Sequence, residues 1–316
     1  MRIARAHSTC EIADPAITAL AGVGELDLLQ LDYDWPGPAQ YCSVFLEQLR
    51  TLHKQFFLDP SLRLVTNAGG GNVVACVEAL GGYLREHGDG EMPITAVRGD
   101  NILPRLSELT SAGIDFVDQS SGESLATVKE PLLAAQVELG GGPLAAAWEE
   151  GSRMIVAGCY DPTAPFVGAA RSNYQLTWDD YDALAGLALT ARIAGLAPII
   201  TDILAPDQVF LEPASQVTLE PENLIQQLRE AADERGILEQ ADVVSDISSL
   251  TLRPTEFGSL SVASVRGQKP TGSWLVRLTY SAHDVVESSR TIQRWTSVPR
   301  DAVNVSVDTR LASEWY

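Results

Sequence analysis

The sequence predicts an α/β fold: a mainly parallel sheet with helices on both faces, followed by a smaller β-rich α+β domain. Two observations carry this reading. From Glu25 to about Ile203, short β-rich segments alternate with longer helical patterns, as βαβ units do. The composition then shifts through "TDILAPDQVFLEPASQVTLEPEN", rich in proline and turn residues, into strand-like alternation such as Ser259-Leu260-Ser261-Val262, which suits an antiparallel sheet with one wet face. The boundary falls near Pro206, giving a first domain over 1–205 and a second over 206–316.

The strands expected in the first part are "LDLLQLDY" (26–33), "LRLVT" (62–66), "PITAVRG" (93–99), "IDFV" (114–117) and "RMIVAG" (153–158). Helical spacing joins Val44, Phe45, Leu49, Leu52 and Phe56 within 39–57, and Val73, Val77, Leu80 and Leu84 within 72–87. The apolar run from Ala183 to Ile200 is broken by Thr190, Arg192 and Pro198, so it reads as a buried helix rather than a membrane span. Beyond the boundary, one charged helix over about 221–235 precedes the strand-like segments "ADVVSDISSLTLRP", "GSLSVASVRG" and "GSWLVRLTYS".

Charge and composition exclude several functions. The 316 residues carry 42 acidic against 22 basic side chains, a formal −20, which repels phosphate backbones and anionic lipid. Nucleic acid and membrane are therefore not expected as partners. Cys10, Cys42, Cys76 and Cys159 show neither close pairing nor metal-ligand spacing, and the first residues lack the apolar core of a signal peptide, so a reducing cytoplasm is the expected compartment. His7, His53, His87 and His283 are equally scattered. His283 and Asp284 are adjacent and read as a solvated turn.

Ligands of open parallel sheets bind beyond the carboxyl ends of the strands. That rule selects Asp32, Asp34 and Trp35 after the first strand, then Asn67, Gly69, Gly70, Gly71 and Asn72 after the second. It adds Asp100 and Asn101 after the third, and Cys159, Tyr160 and Asp161 after the last. In "TNAGGGN" three glycines at a strand-to-helix turn would let backbone N–H groups hold a carboxylate or phosphate, or else permit a tight helix–strand contact. The turn is not a dinucleotide fingerprint, since counting from Gly69 and Gly71 the last position is Val74. No Gly-Lys-Ser/Thr follows it either, so NAD and ATP are disfavoured.

"LDLLQLDYDWPGPA", "LVTNAGGGNVVACVEAL", "AVRGDN", "LGGGPLAAAWEEGSRMIVAGCYDPTAPFVGAA" and "VVSDISSLTLRPTEFGSLSVASVRGQKPTGSWLVRLTY" occur in an order and spacing that resembles the acyclic terpene utilisation AtuA-like family, over about 24–280. The resemblance implies a Rossmann-like first domain, a β-rich second part, a role in acyl-CoA or hydroxy-acid metabolism, homo-oligomers and a small companion subunit. Asn67, Gly69, Gly70 and Asn72 match the family's Asn-Ala-Gly-Gly-x-Asn turn, Gly99 and Asp100 its Gly-Asp turn, and Asp161 the acid of its Gly-Arg-x-x-Asp turn. This chain departs from the family with Val73 for Pro, Asn101 for Asp and Cys159 for Arg, and that last change removes a bidentate carboxylate anchor.

Convergent carboxylates at one sheet mouth could exchange protons or hold Mg²⁺, whereas each alone would serve as a helix cap. Asp100, Asp161 and Cys159 are thus the catalytic candidates. Asp34, Trp35, Asn67, Gly69, Gly70, Gly71, Asn72, Asn101 and Tyr160 are the binding candidates. A thiol at Cys159 before a helix start could be acidified, or it could be an ordinary buried cysteine. The expected function is proton-transfer chemistry of the lyase or hydratase type on a small organic acid or its acyl thioester. The alternatives are a non-catalytic binding subunit and a divergent biosynthetic enzyme.

Overall fold

A computed structural model describes residues 1–22, 25–128, 130–214, 218–282 and 290–316. In chain order the first elements are β1 (Arg2–Ser8), α1 (Pro15–Ala21), β2 (Leu28–Tyr33), α2 (Val44–Leu58), β3 (Arg63–Thr66), α3 (Val73–Glu86), β4 (Pro93–Arg98) and α4 (Leu106–Ser111). Then come β5 (Leu132–Val137), α5 (Gly141–Glu149), β6 (Met154–Ala157), α6 (Ala164–Tyr174), α7 (Tyr181–Ala194), β7 (Ile199–Ala205) and β8 (Gln208–Pro213). The chain finishes with α8 (Pro221–Ala231), β9 (Ile237–Glu239), β10 (Val244–Asp246), β11 (Thr251–Pro254), β12 (Leu260–Ala263), β13 (Arg266–Gln268), β14 (Ser273–Ala282), β15 (Arg290–Pro299) and β16 (Ser306–Leu311).

Ten strands form one sheet in the order β11-β12-β8-β7-β1-β2-β3-β6-β4-β16. Its centre, β1-β2-β3-β6-β4, is parallel, and antiparallel strands extend it at both ends. The strands are apolar on both sides because both faces are covered. Successive residues serve opposite cores: Ile3, Leu28, Val65 and Ile155 face the cluster containing α5, α6 and α7, while Ala4, Leu29, Leu64 and Val156 face α1, α2 and α3. The protein is an α/β fold with a smaller antiparallel β-rich region, as the alternation of segments implied.

Two three-stranded antiparallel sheets, β13-β10-β9 and β15-β14-β5, complete the molecule. The second differs from expectation. Segment 114–117 forms no strand beyond a single bridge from Val117 to Ser124, and the strand is β5, which pairs with β14 far along the chain. β1 was also missed, because "RIARAHS" breaks apolar alternation with Arg5 and His7. Pro206 sits in the turn between β7 and β8, which are antiparallel neighbours, so the sheet continues across the expected boundary.

Three further sequence readings are refined. Cys10 and Cys42 form a disulfide with Cα atoms 5.3 Å apart, a pairing that a separation of 32 residues hid. The apolar run after Ala183 divides into α7, whose Leu184, Leu187, Leu189 and Ile193 are buried in the core, and β7. No helix among the described residues is long and apolar enough to cross a membrane. His283 and Asp284 lie outside the described residues.

Candidate functional site

The turn after β3 is built by side-chain substitution for backbone. Asn67 pairs with the Tyr33 peptide, accepting from its N–H at 2.7 Å and donating to its carbonyl at 3.0 Å, which locks the end of β2 to the end of β3. Asn72 caps α3 by accepting from Ala75 N–H at 3.1 Å. Between them the N–H groups of Gly69, Gly70, Gly71 and Asn72 donate to carbonyls of Ala157, Asn67, Gln40 and Gly69. Gly70 has φ of +48°, and a Cβ there would stand 2.5 Å from Pro36 Cγ. In this structure these glycines admit the loop 34–42 against the turn, and their donors are engaged within the fold rather than presented to an anion.

Beyond that loop, at the carboxyl ends of β1, β2 and β6, lies a cleft of about 320 Å³ walled by Asp34, Trp35, Asn67, Cys159 and Tyr160 together with Arg5, Asp32, Glu138 and Arg277. Six residues selected by the strand-end rule, these five and Asp32, meet here. Larger hollows exist, among them about 560 Å³ beside α7, about 550 Å³ at α1 and α2 and about 520 Å³ at the amino ends of the strands. Size favours those. The smaller cleft is preferred because it occupies the end of the sheet where loops gather and because its charges are concentrated and partly unspent.

One wall is a closed network. Asp32 accepts from Arg5 Nε at 2.8 Å and Gln30 Nε2 at 2.8 Å through Oδ2, and from the Tyr160 hydroxyl at 2.7 Å through Oδ1. Burial first, then the Asp32 charge, raises the Tyr160 phenol well above its ordinary range, so it is a fixed hydrogen-bond donor. At the rim, His7 Nε2 stands 3.3 Å from Asp34 Oδ1, both exposed.

The opposite wall carries charged groups without ion-pair partners among the described residues. Arg277, reaching in from β14, forms no ion pair among the described residues; its Nη2 has only long contacts, 3.4 Å to Gln136 Oε1 and 3.5 Å to Cys159 Sγ, and its buried Nε has no acceptor. Beside it, Glu138 follows β5 directly and its carboxyl accepts no hydrogen bond among the described residues. Burial, reinforced by the charge of Asp161 and opposed by Arg277 and Arg192, pushes Glu138 up to about 8. A carboxylic acid and an unpaired guanidinium therefore face one small cavity.

The three catalytic candidates are placed differently from one another. Asp161 caps the approach to α6: Oδ1 accepts from Thr163 N–H and hydroxyl at 2.8 Å each, and Oδ2 from Ala241 N–H at 2.7 Å. Its oxygens are occupied, which fits capping. Asp100 lies buried behind the cleft, against the backbone of Gly158; burial pushes it up to about 7, and its Oδ2 has no partner. Asn101 is exposed and bridges to Gln136. Cys159 lines the cleft, and burial raises its thiol, which fits the buried-cysteine reading and not the acidified thiol that the sequence also left open. No cluster of three metal-ligating side chains occurs among the described residues.

Arg5, Glu138 and Arg277 were missed. A charged residue in the middle of "WLVRLTY" is the signal that could have found Arg277, because a strand interior tolerates an arginine only where it has somewhere polar to point.

Fold and cleft together define an α/β protein with a cleft at the carboxyl ends of its parallel strands. The model of the acyclic terpene utilisation family protein AtuA matches residues 23–197, more than half of the chain, and the chain belongs to that family. No curated protein and no solved structure gives a significant match.

Proposed function

We propose that the cleft binds a small organic acid or its acyl thioester and that Glu138 exchanges a proton with the carbon next to its carbonyl. The single observation that supports this is the unpaired Arg277 guanidinium set beside a Glu138 carboxyl held protonated near neutral pH. Arg277 supplies the carboxylate anchor that Cys159 cannot, as its guanidinium stands against that sulfur.

The chemistry follows from the placement. With Glu138 ionised, the α C–H bond breaks, its electron pair moves into an enolate, and the proton goes to the Glu138 carboxylate; the reverse step protonates the same carbon. Arg277 offers hydrogen bonds to the oxygens on which charge develops. Asp100 acts through Gln136, positioning Arg277 from behind. This is lyase or hydratase-type proton transfer, and a binding subunit without turnover would use the same anchor.

The test is deuterium exchange at the α-carbon of short carboxylic acids and their thioesters, read by NMR in D₂O. Exchange in the wild type, its loss in Glu138→Gln with ligand binding retained, and loss of binding in Arg277→Met are expected. Binding without exchange in any substrate favours the non-catalytic reading.

A further inference from the structure

A second cleft, about 330 Å³, adjoins the first at Glu138, which lines both. The three-stranded sheet roofs the pair. Leu275 and Arg277 lie on the same face of β14, and their cross-strand partners on β15 are Ser297 and Trp295. Leu275 and Ser297 line the second cleft, while Arg277 lines the first. The two hollows are therefore successive chambers under one sheet face.

The second chamber also holds unspent donors. Gln240 is 7% exposed; its Oε1 accepts from Ser245 at 2.6 Å, while its Nε2 has no acceptor. Arg192 contributes a buried Nε with no acceptor, and the guanidinium forms no ion pair among the described residues. A buried donor without an acceptor costs free energy that a ligand oxygen would restore. Trp274 and Leu238 add apolar wall. The carboxylates nearby decide the kind of oxygen. Asp161 is held by its own donors and Asp233 pairs with Arg235, yet together with Glu239 they make the chamber unwelcoming to a second negative charge.

Resting on the reading of the first cleft as an acid-binding site, we propose that the second chamber is its extension. It takes an elongated organic acid whose carboxylate sits on Arg277, whose chain passes Glu138, and whose neutral carbonyl oxygen, of an amide, thioester or ketone, accepts from Gln240 and Arg192.

Titration calorimetry on the full chain with three probe series of matched length tests this: straight-chain monocarboxylates, the monoamides of succinate, glutarate and adipate, and the corresponding dicarboxylates. One monoamide should bind about tenfold tighter than the monocarboxylate of equal length, the gain that one or two hydrogen bonds to buried donors supply. Gln240→Met and, on a different element, Arg192→Met should each erase that advantage while leaving monocarboxylate affinity unchanged. Arg277→Met should weaken every series. An advantage that is absent, that persists in both variants, or that belongs to the dicarboxylates alone overturns the proposal. If Arg277→Met changes nothing, or no probe binds, the acid-binding reading itself falls with it.

Discussion

Arg277 on β14 brings its Nη2 to 3.5 Å from the Sγ of Cys159, 118 residues earlier in the chain, at the loop that follows β6. The guanidinium that completes the cleft thus comes from the antiparallel region and not from the parallel core. Arg277→Met should preserve the fold, because the side chain makes only long contacts, and should weaken binding of short carboxylates by at least tenfold, as loss of a charge-assisted pair implies. Thermal unfolding and titration calorimetry on the same preparation separate the two effects. Equal affinity in wild type and variant would remove Arg277 from the site.

Burial raises Glu138 to about 8, Asp100 to about 7 and Asp242 to about 7, all from ordinary values near 4. The folded state therefore holds more protons than the unfolded state between about pH 4 and 8. Stability from these groups is fully present below the unfolded values and is lost as pH rises through the folded ones. Urea denaturation at pH 5, 7 and 9 should show a decline over that window. Asp242 accepts from Gly141 N–H at 2.7 Å, and an amide oxygen can do the same, so Asp242→Asn should keep that contact and flatten the pH slope. A variant whose slope matches the wild type would show that Asp242 is ionised throughout.

The parallel core was legible in the sequence because its information is local: apolar runs such as "LRLVT" and the periodicity of Val73, Val77, Leu80 and Leu84 declare themselves within one element. Asn67, Cys159 and Tyr160 followed from the rule about strand ends, and they do line the cleft. Glu138 was not legible, since β5 pairs with a strand more than a hundred residues away and its own segment does not mark it as facing a cavity, and Arg277 left only the odd charge inside "WLVRLTY" as a sign. Cys10 and Cys42 were hidden for the same reason. The role of "TNAGGGN" was ambiguous in sequence because an anion cradle and a tight packing turn require the same glycines.

The Cys10–Cys42 disulfide closes a loop that contains β2 and the segment carrying Asp34 and Trp35. Chain-entropy arguments give about 3–4 kcal/mol for a loop of this length. Cys10→Ser should lower unfolding free energy by about that amount, and a reductant should lower the wild type similarly while leaving the variant unchanged. Thiol counting on the denatured chain gives the independent check: two free thiols are expected without reductant, from Cys76 and Cys159, and four with it. Four without reductant would mean that the pair does not form in the purified protein.

Gly70 and Gly113 separate the two demands a glycine can meet. Both have positive φ, +48° and +92°, but a Cβ on Gly113 meets nothing within 4 Å, whereas one on Gly70 meets Pro36 at 2.5 Å and the Gln40 carbonyl at 3.0 Å. Gly113→Ala should cost only dihedral strain, about 1–2 kcal/mol. Gly70→Ala adds steric overlap, for which overpacking in a well-filled region gives about 1–3 kcal/mol more. The overlap also has a functional reading, because Pro36 and Gln40 belong to the loop that carries Asp34 and Trp35 into the cleft. Gly70→Ala should therefore weaken ligand binding as well as stability, and Gly113→Ala should leave binding alone. Denaturation curves and binding isotherms for the two variants decide the matter. If Gly70→Ala costs no more than Gly113→Ala, the loop is free to withdraw from the turn, and the glycines are there for something other than admitting it.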